Sequence, residues 1–141
     1  MLEIEQRYID EIVAHSLEDN PNECCGLLAG SGNSVQKLYR MTNTAHSPYR
    51  YNMDPQELLE TLKEMDDNGW NLLSIYHSHT HSPAYPSDTD VRMATWPDGL
   101  SIWPDTYYVL VSLADHHHPD VRVFSINDGR IAEEKLRIVQ R

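Results

Sequence analysis

The order of patterns along this chain predicts an α/β fold, with helices packed on a mixed β-sheet. Three observations carry the prediction. Apolar runs at CCGLLAG, WNLLSIY and TYYVLVSL are too continuous for strands with one wet face. Two other stretches space their apolar residues at helical intervals. These patterns alternate: helix, two strands, helix, strand, short helix, then further strands. A length of 141 residues suits a single domain, 1–141, built on one core. No repeat, linker or low-complexity segment divides it.

In chain order, Ile4, Tyr8, Ile9, Ile12, Val13 and Leu17 give an amphipathic helix over 4–17. Asp19-Asn20-Pro21 stops it. CCGLLAG is a buried strand, Gly30-Ser31-Gly32-Asn33 its turn, and 35–42 the returning strand. Residues 43–53 are a loop containing Ser47-Pro48. Asp54-Pro55-Gln56-Glu57 starts a helix: an acid at the N-cap, proline in the first turn, and a glutamate positioned for a capping box. Leu58, Leu59, Leu62 and Met65 form its apolar face, and Asn68-Gly69 ends it. WNLLSIYHSH is a strand for the centre of the sheet. Residues 87–95 form a short helix and 106–113 another buried strand. VRVFSI, Asn127-Asp128-Gly129 and RIAEEKLRIV read as a hairpin.

Charge removes some functions. With 22 acids against 11 bases the net charge is −11, the wrong sign for nucleic acid and for an anionic membrane surface. The N-terminus has no basic region before an apolar stretch, so it does not read as a signal peptide. No apolar run approaches the ~20 residues of a membrane span. Cys24 and Cys25 are neighbours, a poor geometry for a bridge. The expected setting is the reducing cytoplasm.

The chemistry concentrates in YHSHTHSPAYPSDTD, residues 76–90. Residues i and i+2 of a strand share a face, so His77 and His79 project together from the end of the central strand. Two imidazoles, one carboxylate and an open fourth position are what a hydrolytic zinc ion uses. Such an ion lowers the pKa of its water to roughly 7. Asp90 is the candidate carboxylate. Ser87-Asp88-Thr89-Asp90 also fits a capping box, in which Asp90 serves its own helix. Both readings stand together if that helix begins beside the strand end. Glu23, just before a buried strand, is a candidate general acid/base; spacing alone equally allows a solvated loop acid.

Glu23 before Cys-Gly-Leu-Leu-Ala-Gly, then His77-Ser78-His79, Ser87 and Asp90, resembles the JAMM (MPN+) metalloprotease motif: Glu, H-x-H, seven residues, Ser, two residues, Asp. The resemblance spans nearly the whole chain. It is nearest to the compact bacterial Mec-type enzymes, which act on ubiquitin-like sulfur-carrier proteins ending in Gly-Gly. It implies a curved mixed sheet flanked by helices, similar to cytidine deaminases. It implies Zn2+ held by His77, His79 and Asp90, Glu23 as general acid/base, and Ser87 as the hydroxyl that holds the carbonyl or its oxyanion. The partner it implies is a sulfur carrier with a Gly-Gly C-terminus, cut to release cysteine or trim a tail. Thr80 stands where many members have proline after the second histidine, as in the Mec-type members.

The competing functions have less support. A non-catalytic scaffold has no need of all five motif residues. A zinc deaminase wants H-x-E and P-C-x-x-C, and neither is present. A non-haem iron oxygenase also uses two histidines and a carboxylate, but leaves Ser87 and Glu23 without a role. His81 is expected at a polar rim, since a fourth protein ligand closes a catalytic site. His116-His117-His118 reads as a solvated turn, and Cys24 and Cys25 as small core hydrophobes. WPDGLSIWPD has two open readings: a lid on the edge of the core, or an aromatic flap that holds an extended substrate tail.

Overall fold

The computed structural model describes residues 1–140. The first departure from the sequence pattern comes at once. Leu2–Glu5 form a strand, β1, and the helix α1 begins only at Gln6, running to Asp19. Leu2 and Ile4 are fully buried, while Glu3 and Glu5 are half-buried. That period-two pattern merges in sequence with the helical spacing that follows, which is why the helix was expected from residue 4.

β2 (Cys25–Ser31) and β3 (Ser34–Met41) form the expected hairpin. α2 (Pro55–Asp67) starts at the Asp54 cap, whose carboxylate accepts from the backbone N–H of Gln56 and Glu57. Two details differ. Glu57 does not close a capping box; its carboxylate accepts from the N–H and hydroxyl of Thr42 at 2.6 and 3.0 Å, tying the helix to the end of β3. Leu59 faces solvent, 64% exposed, so the packed face is Leu58, Leu62 and Met65.

β4 (Asn71–His79) and β5 (Tyr107–Ser112) pair in parallel, with the short helix α3 (Asp88–Met93) in their crossover. β6 (Asp120–Asn127) and β7 (Arg130–Glu134) form the second hairpin. The chain then breaks at Lys135, and β8 (Leu136–Val139) crosses to run parallel to β1. Two strands therefore replace the one expected after Gly129.

The eight strands lie in the order β7-β6-β5-β4-β2-β3-β1-β8, a mixed sheet with β4 near its centre. Side-chain alternation splits its residues between two cores. Leu28, Tyr76, Val109 and Val111 pack with Ile9 and Ile12 of α1. Leu27, Ile75, Leu110 and Phe124 pack with Met65 of α2. Gly26 makes room for this: a Cβ there would lie 2.0 Å from the Tyr76 ring. Tyr76 can then reach His15 on α1, 2.7 Å from its hydroxyl. His77 and His79 share the parity of Ile75, so they fall on the α2 face.

Candidate active site

β4 delivers its two histidines in adjacent outward positions on one face, and their ring centroids are 5.1 Å apart. Pairing with β5 covers both positions, and pairing with β2 reaches His77, which fixes the strand that aims them. Both are buried, at 1% and 3% exposure. After β4 the chain turns through 80–87 and begins α3 at Ser87. The Ser87 hydroxyl accepts from the Asp90 N–H at 3.1 Å, and the Asp90 carboxylate accepts from the Ser87 N–H at 2.9 Å. This is the capping box anticipated from the sequence. It also aims Asp90 Oδ2 at the histidines: 2.9 Å from His79 Nε2 and 3.1 Å from His77 Nε2. The two readings of Asp90 are thus one arrangement.

The donor set fits a metal ion. The Nδ1–H of His79 donates to the Pro83 carbonyl at 2.8 Å, since a carbonyl can only accept. A neutral ring therefore carries its lone pair on Nε2, facing a carboxylate oxygen. Two electron-rich atoms at that separation call for a cation between them. His77 sharpens the point: neither ring nitrogen makes a hydrogen bond, and Nε2, though close to Asp90, is not aligned for one. The candidate ligand atoms of His77, His79 and Asp90 all lie within 4.8 Å of one another. An ion there would give His77 the partner that the protein does not supply.

Electrostatics follow the same geometry. Burial works to raise the Asp90 carboxyl, but the nearby charge of His77, the contact with His79 and the Ser87 N–H outweigh it and hold it ionised well below the usual range. Burial works to lower His79, yet the Asp90 and Pro83 contacts leave it raised. Glu23 is 3% exposed, and its Oε1 has no hydrogen-bond partner. Burial pushes its carboxyl up to about 8; the charge of His79 opposes and that of Asp90 assists. A solvated loop acid would be exposed and unshifted, so that reading fails. A buried carboxyl that titrates near neutrality and feels the His–Asp cluster is suited to moving protons there.

A family model described as prokaryotic homologs of the JAB domain matches residues 5–127. The chain belongs to the Prok-JAB family. It is 39% identical over 142 residues to the CysO-cysteine peptidase of Mycobacterium tuberculosis, across 99% of this chain and 92% of that protein. It is 35% identical over 95 residues to the desampylase of Pyrococcus furiosus, across 67% of each. A protein of Desulfitobacterium hafniense solved in solution has a TM-score of 0.86 at 34% identity, covering 100% of this chain and 94% of that one. A JAB1/MPN domain protein from Archaeoglobus fulgidus, at a TM-score of 0.63 and 17% identity over 99% of this chain and 98% of its own, shows the same fold.

Within this Prok-JAB chain the remaining sequence candidates sort cleanly. His81 is exposed to solvent and is not among the clustered ligand atoms. His116, His117 and His118 form an exposed turn, with His118 Nδ1 3.1 Å from Asp115. Cys24 and Cys25 are fully buried thiols that burial shifts upward, Cys24 to about 11. WPDGLSIWPD splits between its two readings. Trp103 packs against the α2-side core, while Trp96 is 53% exposed. The segment is pinned to the β6–β7 turn through Ser101, which bonds Asp128 and Ile126.

Loop 43–53 supplied what the sequence did not announce. The Tyr51 ring lies over His77 with centroids 4.7 Å apart. Burial first, then the charge of Asp90, raises its phenol well above the usual range. Thr80, the departure from proline, donates its hydroxyl to the Pro48 carbonyl at 3.1 Å. A crowd of aromatic and asparagine residues in YRYNM was the available signal, but nothing local says where such a loop lands.

Proposed function

We propose that this chain is a zinc-dependent peptidase that hydrolyses the amide bond after the C-terminal Gly-Gly of a ubiquitin-like sulfur-carrier protein, releasing cysteine or trimming a precursor tail. The observation that carries it is the convergence of His77 Nε2, His79 Nε2 and Asp90 Oδ2 beside the buried, unpartnered Glu23. The substrate class draws support from relatives named CysO-cysteine peptidase and desampylase. On this reading the whole chain, 1–141, works as one domain. It acts in the reducing cytoplasm, where free cysteines such as Cys24 and Cys25 stay thiols.

His77, His79 and Asp90 would hold the zinc. When bound, it supplies Lewis acidity for the attacking water and the scissile carbonyl. Glu23 takes the proton of the attacking water and returns it to the departing amine, and its elevated pKa suits both halves of that task. Ser87 accepts the Asp90 N–H at its oxygen, which leaves its own O–H free to donate. That donor is assigned to the carbonyl oxygen as it becomes an oxyanion. The Ser87 N–H and the His79–Pro83 bond keep the ligand groups aimed.

The test is hydrolysis of a Gly-Gly sulfur carrier extended by cysteine or a short peptide, read by intact-protein mass. Cleavage after the second glycine, lost with a chelator and restored by zinc, is expected. A zinc-loaded, folded protein that cleaves no carrier of this class would instead favour a scaffold role.

A further inference from the structure

Both main-chain polar groups of Glu23 are held by loop 43–53, and neither is held by the sheet. Its N–H donates to the Ser47 carbonyl at 2.9 Å. Its carbonyl accepts from Asn43 Nδ2 at 2.9 Å. Sheet pairing starts two residues later, at Cys25 with His77 and Met41. Cys24 is tied to Ser78 by bonds in both directions. Glu23 is therefore the first residue whose position depends on something other than β-structure.

Asn43 is 6% exposed and uses its whole amide. Nδ2 donates to Glu23 O and, at 3.1 Å, to Arg50 O. Oδ1 accepts from Ala45 N–H at 3.0 Å and Asn52 N–H at 2.9 Å. Three of these bonds close the loop on itself, as a turn requires. The fourth does not serve the turn. It reaches 20 residues back along the chain to the backbone of Glu23. The middle of the same loop is fastened beside His79 by the bond from Thr80 to Pro48, and the loop lays Tyr51 on His77.

We propose that Asn43 is a positioning residue for Glu23: it clasps the turn before β2 to a strap, residues 43–53, that is fixed at its middle, Pro48, by Thr80. The strap sets the distance between the Glu23 carboxyl and the His–Asp cluster. A buried carboxyl with no partner for Oε1 cannot hold that position through its own side chain. Small displacements of proton-transfer groups are costly, since catalysis depends on near-contact geometry.

The proposal rests on the peptidase reading for its kinetic test, so a second readout is independent of activity. Asn43→Asp keeps the acceptor for Ala45 and Asn52 but turns oxygen toward the Glu23 and Arg50 carbonyls. Expected are a kcat lower by about 10–100-fold, a KM within about twofold, and unchanged zinc content. In a Glu23→Gln background the same change should cost less than about twofold, because its route of action is already gone. Hydrogen exchange should accelerate at the Glu23 amide and stay unchanged at Leu27 to Ala29. Thr80→Val, isosteric and uncharged, should give the same pattern at smaller size and decides the matter if Asn43→Asp fails to fold. Wild-type kcat, loss of zinc, or a full additional loss in the Glu23→Gln background would overturn the proposal. If the wild type cleaves no carrier, the peptidase reading fails, while exchange still decides the strap: selective loosening at Glu23 upholds it and uniform exchange rejects it.

Discussion

Two stretches of this chain are rich in histidine, and their fates are opposite. His77 and His79 end a central strand, buried at 1% and 3% exposure, with Asp90 brought against both. His116, His117 and His118 sit three in a row on an exposed turn, where His118 meets Asp115 with both side chains in water. Both have a carboxylate within 3.1 Å of an imidazole. What separates them is the platform. Period two on a paired strand points two rings the same way, and burial makes an unsatisfied ring nitrogen costly. Consecutive histidines on a turn diverge, and water satisfies each one. The site is made by register and desolvation, not by counting ligands.

The largest effect that sharpens this contrast is catalytic. Glu23→Gln should lower turnover by ~10²–10⁴-fold with zinc retained, measured by intact mass on a Gly-Gly carrier. Replacing His116, His117 and His118 together by alanine should leave turnover and Tm at wild-type values. Next comes Ser87→Ala, which removes the proposed oxyanion donor and a helix cap together. A kcat loss of about 10²–10³-fold is expected, with a cap cost of about 1 kcal/mol in denaturant unfolding. Wild-type kcat with only the stability loss would reduce Ser87 to a cap.

A third effect is visible in stability alone. In chelator-treated protein, burial holds the Glu23 carboxyl up at about 8, against an ordinary 4.5. Between those values the folded state keeps a proton that the unfolded state has released. Unfolding free energy therefore falls as pH rises from 4.5 towards 8, and the loss is absent below 4.5. Metal-free Glu23→Gln lacks that slope. It should match the wild type near pH 4 and exceed it near pH 8 by a few kcal/mol. Parallel curves would mean that Glu23 is not buried as described. The smallest effect concerns the tryptophans. Trp103→Ala should cost about 1–3 kcal/mol of stability, whereas Trp96→Ala should only raise KM a few-fold. An unchanged KM for Trp96→Ala would make the whole segment a lid on the core.

The contrast also explains what was legible beforehand. The convergence of His77, His79 and Asp90, and the cap at Ser87, are legible in sequence because the relations are local, alternation on one strand and a cap at one helix start, whereas the oxyanion role of Ser87 is implied only by the resemblance. The capping box even forecast which way Asp90 would turn. Glu23 needed the family resemblance, since its burial is produced by partners far along the chain. β1 was missed because its parallel partner β8 lies at the other end of the sequence. Its two buried residues also fall in phase with the helix that follows. Glu57 was read as a capping-box member, but Thr42 offered it two donors that no local rule contains. Asn43 and Tyr51 lie in a loop whose destination is set by tertiary contacts, so their roles appear only in three dimensions.

Metal stoichiometry on paired variants tests the central assignment most directly. Zinc content should be about one per chain in the wild type and in the variant with His116, His117 and His118 all replaced by alanine. It should be lost in folded His77→Ala and Asp90→Ala. Full zinc in both of those variants, or its loss on removing the exposed histidines, would contradict the placement of the metal at the end of β4.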